Sequence, residues 1–285
     1  MTITNTSQPR ALIVTAAGIN CDRELGRAFE LAGATATFMH LNQLIAQPSL
    51  IGQFDLIGIP GGFSFGDAIA AGRVMAQLMR RHLYQPLIDA IARGTPIFAP
   101  CNGFQILCQM GLLPGPSEGD DWPAQPPVPV VSLAPNVDGR FVDRWTRIEI
   151  PESHCMWTQG LDSGMIPSDD AMQLPSAHGE GRLIAHDADF FGELEERGQV
   201  AIRYHADDNF NGSTAAIAGL CDATGLVFGL MPHPERFVSW QQHPYWTRLD
   251  RAAMRAGTTI GLQMFRSAVN YVRERQGAAP ALLPQ

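Results

Sequence analysis

A chain of 285 residues has room for one large domain or two small ones, and it can bury a sizeable core either way. Its formal net charge of −8 argues against nonspecific nucleic-acid binding, which needs a basic face to meet phosphates. The apolar share of 45% and charged share of 17% are those of an ordinary soluble globular protein.

The cysteines are Cys21, Cys101, Cys108, Cys155 and Cys221. An odd number with no CxxC pair fits reduced thiols in a cytosol better than a disulfide framework or a zinc site. The first ten residues, MTITNTSQPR, are polar and lack the apolar stretch of a signal peptide. No uninterrupted apolar run approaches the ~20 residues of a membrane helix. The expectation is a cytoplasmic protein with no membrane segment.

Strand-like and helix-like segments alternate through the first half. Residues 11–16, ALIVTA, predict a strand. Residues 23–34 carry Leu25, Phe29 and Ala32 at helical spacing, with Asp22 as the expected cap. TATFMH (35–40) and DLIGIPGG (55–62) predict two more strands, the second closed by glycines. Residues 73–94 predict a helix or a broken pair, limited by Pro86 and ended at Gly94. TPIFAP (95–100) predicts a fourth strand and 102–111 a helix ending at Gly111. Apolar strands alternating with helices predict a parallel sheet covered on both faces. Ligand chemistry in such sheets sits beyond the C-terminal strand ends, where both PGGFSFGD (60–67) and Cys101 fall.

Residues 114–135 are proline-rich and read as a surface excursion or subdomain loop. Residues 139–150 alternate and predict a long, antiparallel strand. Residues 226–232 predict a late apolar strand leading into HPER (233–236), and 247–275 hold helices that pack back on the sheet. The domain is expected to span 10–275, with flexible tails at 1–9 and 276–285.

Cys101 stands between a strand and a helix in the frame Ala99-Pro100-Cys101-Asn102-Gly103. This is close to the nucleophile elbow, Gly-x-nucleophile-x-Gly, in which a strained turn lifts the nucleophile clear of the sheet. The helix start would favour a thiolate, and its amides, Asn102's above all, could donate to an oxyanion. A buried, inert cysteine is the alternative. Cys108, two helical turns on, reads as core.

Acyl transfer by a thiolate needs a base and a group that orients it. His233 follows an apolar strand, and Glu235, two residues on, can hold its imidazole. His233 and Glu235 could also be metal ligands, but two residues are too few for a site, and no metal is expected. HGEG (178–181) is either a ligand loop or a plain turn; His154 and His205 read as surface or packing residues. The loop at Gly61, Gly62 and Phe63 could supply a second oxyanion amide. Without GxGxxG or a Walker lysine, it is a poor nucleotide site.

Together these motifs resemble the class I (triad) glutamine amidotransferases, and within them the glutaminase subunits of phosphoribosylformylglycinamidine synthase. The resemblance covers roughly 10–275. It is carried by GINCDRE (18–24), DLIGIPGGFSFGDAIAAGR (55–73), PCNGFQILCQMGLLPG (100–115), NVDGRFVDRW (136–145), LPSAHGEGR (174–182), NGSTAAIAGL (211–220) and GLMPHPERF (229–237). It implies an α/β fold, an open, mostly parallel, flavodoxin-like sheet flanked by helices with a small antiparallel excursion. It implies Cys101 as nucleophile, His233 as base and Glu235 as the group orienting His233. Gly61, Gly62, Phe63 and Asn102 would line the oxyanion site, Gln105 would help hold glutamine, and the backbone at Ala177 and His178 would bind its α-amino and carboxylate ends.

The resemblance also implies that no cofactor binds this chain. ATP and magnesium would belong to a large synthetase subunit, joined in some assemblies by a third, small one. Ala99-Pro100 departs from the family, where a glycine and an aliphatic residue precede the cysteine. Two other readings compete. One is another cysteine hydrolase of related fold, a peptidase or deglycase. The other is a non-catalytic binding subunit.

Overall fold

A computed structural model describes residues 8–161, 171–187 and 189–277. The expected tails at 1–9 and 276–285 lie for the most part outside the described residues.

In chain order the described elements are β1 (Arg10–Thr15), α1 (Asp22–Leu31), β2 (Thr35–His40), α2 (Leu41–Ala46), β3 (Leu56–Gly58), α3 (Arg73–His82), α4 (Tyr84–Ala92), β4 (Ile97–Pro100), α5 (Asn102–Met110), β5 (Val131–Ala134), β6 (Val142–Glu149), β7 (Gln173–His178), β8 (Arg182–Ala185), α6 (Phe190–Glu196), β9 (Val200–Tyr204), β10 (Ile217–Cys221), β11 (Val227–Leu230), α7 (Arg251–Ala256) and α8 (Ile260–Arg275).

Nine strands form one sheet in the order β2-β1-β3-β4-β11-β10-β9-β6-β7. The five from β2 to β11 run parallel. The remaining four add on antiparallel, each to its neighbour. The proline-rich stretch ends in β5, which pairs with β8 in a separate two-stranded sheet. It is therefore a subdomain loop with a strand at its end.

Two local expectations are corrected. Asp22 does not cap α1: it lies in the helix's first turn, and Cys21 holds the cap position without a side-chain bond. An acid in the first turn still complements the helix dipole. The helix pair at 73–92 breaks at Leu83, not at Pro86. Pro86 falls in the first turn of α4, where a backbone N–H has no helical partner to lose. Gly94 and Gly111 end their helices as expected, at φ 79° and 76°.

Both faces of the parallel half are covered. On one, Phe98 of β4 packs on Trp157 and Phe265, with ring centroids 4.9 and 4.8 Å apart, and α8 lies against α1. On the other, α5 seats Phe104 over Gly229 of β11; a Cβ at Gly229 would come within 2.4 Å of that ring. The last strand can thus lie flat under α5, which brings the segment after β11 beside the segment after β4.

Candidate active site

Cys101 is the residue at which the chain turns from β4 into α5. Its backbone sits at φ 51°, ψ −110°, a conformation that L residues rarely adopt and that marks a strained, over-determined position. The Cys101 N–H donates to the Leu230 carbonyl at 2.7 Å, which ties the elbow to β11. Gly103 lets α5 start this close to the sheet: a Cβ there would stand 2.0 Å from the Ile59 carbonyl oxygen.

Because β11 is paired in register with β4, Leu230 opposite Pro100, the residues that follow the two strands emerge side by side. His233 arrives there and donates its N–H to the Pro175 carbonyl at 2.7 Å. Its Nδ1 lies 2.6 Å from Glu235 Oε1, and both side chains are buried. The His-x-Glu pair meets around a short turn, Pro234–Arg236. Burial alone would push the His233 pKa down, but the Glu235 carboxylate, and after it Cys101, outweigh it and hold the imidazole well above its ordinary value. A proton can therefore rest on His233 at neutral pH.

Gly61 completes the crowding. A Cβ on it would stand 2.9 Å from His233 Cε1 and 3.3 Å from Cys101 Cβ. Gly62, at φ 142°, is held against residues 18–20, where a Cβ would meet Asn20 N at 2.8 Å. One expected donor is corrected. The Phe63 N–H is bound to the Gly18 carbonyl at 2.9 Å and does not point freely into the site. The Ser64 N–H is bound to Asn102 Oδ1 at 3.2 Å, so the loop is latched to the elbow helix. The Phe63 ring is half-exposed and faces Phe141 at 6.1 Å.

The HGEG segment arrives from β7. Contrary to the loop expected there, His178 is the last residue of the strand and is buried. Cys101 Sγ points at the Ala177 carbonyl oxygen, 3.7 Å away. Asn136 organises the turn: its Nδ2 donates to the His178 carbonyl at 2.9 Å, and its Oδ1 accepts from the Gly181 N–H at 3.2 Å. Gln105, expected to help hold glutamine, bonds two protein groups here. Its Nε2 donates to the Glu180 carbonyl at 2.6 Å and its Oε1 accepts from Asn102 Nδ2 at 2.8 Å. It ties the elbow helix to the HGEG turn.

Burial, and secondarily the charge of His233, push the His178 pKa down to about 3. The unfolded chain takes a proton there near pH 6.5, so the folded state falls behind as pH drops below that value, at about 1.4 kcal/mol per pH unit. The cost of this one group reaches about 2 kcal/mol at pH 5 and stops growing near pH 3. Thermal melts from pH 7 to 4.5 are expected to show the loss, and His178→Asn to flatten that slope. An unchanged slope would show that His178 titrates normally.

Residues 8–272 match the model of the CobB/CobQ-like glutamine amidotransferase domain. The chain belongs to that glutamine amidotransferase family. Among curated relatives, the phosphoribosylformylglycinamidine synthase subunit PurQ of Dehalococcoides mccartyi is 36% identical, over 94% of this chain and 99% of the relative. The protein of the same name from Treponema denticola is 34% identical, over 93% and 99%. Among solved structures, a chain of the PurLQS structure from Thermotoga maritima aligns with a TM-score of 0.66 at 31% identity, covering 93% of this chain and all of that one.

In this amidotransferase the departures at the elbow are accommodated locally. Ala99 is fully buried, yet its Cβ clears Gly103, which has none. Pro100 pairs with Leu230, and the bond that matters there, from Cys101 N to Leu230 O, does not need a proline N–H. The segments GINCDRE, NVDGRFVDRW and NGSTAAIAGL were legible as motifs without roles. The structure gives roles to Gly18, which receives Phe63, to Asn136, and to Asn211, whose Nδ2 donates to the Gly181 carbonyl at 2.8 Å. Cys21 also lies at the site, with Sγ 3.3 Å from where a Gly61 Cβ would stand. An asparagine directly before a glycine, Asn211-Gly212, was the available signal for Asn211; Asn136 had none of that kind.

Proposed function

We propose that the chain is the glutaminase subunit of phosphoribosylformylglycinamidine synthase, with Cys101, His233 and Glu235 as its catalytic triad. The observation that carries this reading is the strained Cys101 elbow set against the buried His233–Glu235 pair, on a chain whose full-length relatives bear that name. A peptidase or binding-only role has no comparable support.

Cys101 sulfur attacks the side-chain amide carbon of glutamine. The carbonyl electrons move onto oxygen, between the N–H groups of Asn102 and Gly62; each such donor is worth on the order of 3–4 kcal/mol. His233 protonates the departing nitrogen, and ammonia leaves a γ-glutamyl thioester on Cys101. His233 then takes a proton from water, which attacks the thioester and releases glutamate and the thiol. Glu235 keeps the imidazole in the productive orientation throughout. The carbonyls of Ala177 and Glu180 present acceptors for the α-amino end of the substrate. Phe63 and Phe141 stand at the mouth as a hydrophobic rim.

Ammonia passes to the large synthetase subunit, with a third small subunit in three-component assemblies. A PurLQS assembly has been solved from Thermotoga maritima. ATP and magnesium act on that partner, which converts formylglycinamide ribonucleotide into formylglycinamidine ribonucleotide. No described helix is long and apolar enough to cross a membrane, and we place the work in the cytoplasm, where the nucleotide substrates are.

A diazoketone analogue of glutamine tests the reading. It should alkylate Cys101 stoichiometrically in the assembled complex, located by peptide mass; labelling elsewhere, or none, would sink it. Glu235→Gln should lower kcat on the order of 10²–10⁴-fold with a smaller change in KM, because a neutral amide no longer holds the imidazolium that forms in the transition state.

A further inference from the structure

The site holds a second sulfur for which acyl transfer has no use. Cys21 is buried at the start of α1, and its Sγ accepts a hydrogen bond from Arg236 Nη2 at 2.9 Å. One ligand atom each from Cys21, His233 and Glu235 lies within 4.8 Å of the other two. Glu235 contributes one engaged oxygen, Oε1 on His233 Nδ1, and one that is buried with no hydrogen-bond partner among the described residues, Oε2. An orphaned buried carboxylate oxygen costs stability unless something positive visits it.

The geometry points to a divalent-cation site made by Cys21 Sγ, the Glu235 carboxylate and the His233 imidazole, which takes a thiophilic ion such as Zn²⁺ and silences the enzyme while it is bound. Thiolate, imidazole and carboxylate are the three protein donors zinc uses, with about 2.3 Å to sulfur and about 2.0–2.2 Å to nitrogen and oxygen. The ion takes the place of the proton shared between Nδ1 and Oε1; these atoms, now 2.6 Å apart, open to about 3.4 Å as tetrahedral coordination requires. Binding releases that proton and the Cys21 thiol proton to solvent, and water fills the fourth position. Arg236 then gives up the sulfur and keeps its other acid, Glu24, whose Oε1 is 3.5 Å from Nε.

Three chain segments build this set: the loop before α1, the turn after β11, and Gly61, whose missing side chain leaves the space between Cys21, His233 and Cys101 open. Cys101 is not a ligand in it. Inhibition follows because the ion detaches Glu235 from its orienting bond and neutralises the imidazole's ability to carry a proton to the leaving nitrogen. The inhibitory consequence rests on the glutaminase reading above; the binding itself does not.

The test begins with the metal-free full-length chain, titrated with Zn²⁺ against a chromogenic chelator. One equivalent is expected to bind. Cys101→Ser should hold it within about threefold of the unmodified chain, and Cys21→Ser should weaken it tenfold or more. Equal affinity in Cys21→Ser, or loss in Cys101→Ser, overturns the proposal and moves the ion to Cys101 and His233. Co²⁺ gives a readout that needs no Cys21 variant: Cys101→Ser loaded with Co²⁺ should show the intense sulfur-to-cobalt charge-transfer absorption of a thiolate ligand, and its absence refutes the site. In the assembled complex, Zn²⁺ should abolish glutamine-dependent turnover and a chelator should restore it, with Cys21→Ser at least tenfold less sensitive. Binding with no effect on a demonstrated glutaminase refutes the inhibitory role and leaves the glutaminase reading standing; absent glutaminase activity with intact Co²⁺ ligation does the reverse.

Discussion

Cys101→Ala is expected to abolish glutamine-dependent synthesis by the assembled complex while ammonia-dependent synthesis continues at its usual rate. On the proposed mechanism the Cys101 sulfur forms the thioester, and no neighbouring group is placed to replace it. Cys21 is held by Arg236 and starts another helix. Cys108 is buried within α5, where burial pushes its thiol pKa up. Removing a triad nucleophile typically costs on the order of 10⁶-fold in kcat, which here should place the glutamine reaction below detection. The ammonia arm makes the result specific. The methyl group of alanine is smaller than the thiol side chain, the N–H of residue 101 keeps its bond to the Leu230 carbonyl, and the position is buried, so the outer surface is unaltered. Parallel assays with glutamine and with ammonium salts decide it. Retained glutamine-dependent turnover removes Cys101 from the mechanism, and loss of both activities would show that the elbow supports assembly and not only chemistry.

Gly103→Ala should be as damaging through structure as Cys101→Ala is through chemistry. Its Cβ would stand 2.0 Å from the Ile59 carbonyl oxygen and 3.1 Å from Ala99 Cβ, and the oxygen belongs to backbone that cannot swing away. Relief requires α5 to lift from β3 and β4. That movement would break the Ser64–Asn102 latch and carry Cys101 away from His233. Overpacking of this kind costs about 1–3 kcal/mol in ordinary cores, and more where backbone is the obstacle. A fall in the denaturation midpoint of several degrees, with glutaminase activity reduced at least 100-fold at temperatures where the chain is still folded, is the expected pair of results. Wild-type activity with a normal midpoint would show that the elbow has slack that the packing does not suggest.

Some features of this protein were legible because they are local. The run from Ile97 to Pro100 and the run from Val227 to Leu230 are apolar throughout, which only strands buried on both faces tolerate. Leu25, Phe29 and Ala32 recur at helical spacing and are all buried. Gly94 and Gly111 end helices because a positive φ is needed there and a glycine supplies it. The elbow frame around Cys101 and the His-x-Glu after β11 are likewise short patterns, and both could be read without knowing what lay next to them.

Other features depend on distance in space. Nothing local to Phe63 shows that the Gly18 carbonyl takes its amide, so its sequence context alone reads as an oxyanion donor. Gln105 sits one turn into the elbow helix, and only the folded chain brings it to the Glu180 carbonyl, 75 residues on. The break falls at Leu83 and not at Pro86 because Pro86 lies in the first turn of α4, where a backbone N–H has no helical partner to lose.

The residues by themselves brought a candidate chemistry into view: a cysteine between a strand and a helix, a histidine with a carboxylate two residues on, and the alternation that builds a sheet to carry them. Those depend on residue type and on separations of a few positions, which the backbone translates directly into geometry. Tertiary structure alone decided that residues 101 and 233 are neighbours, because that follows from β4 and β11 being paired in register across more than a hundred residues. It alone decided that Cys21 joins them, since the crossing of the α1 loop over Gly61 is a packing result with no counterpart in local spacing.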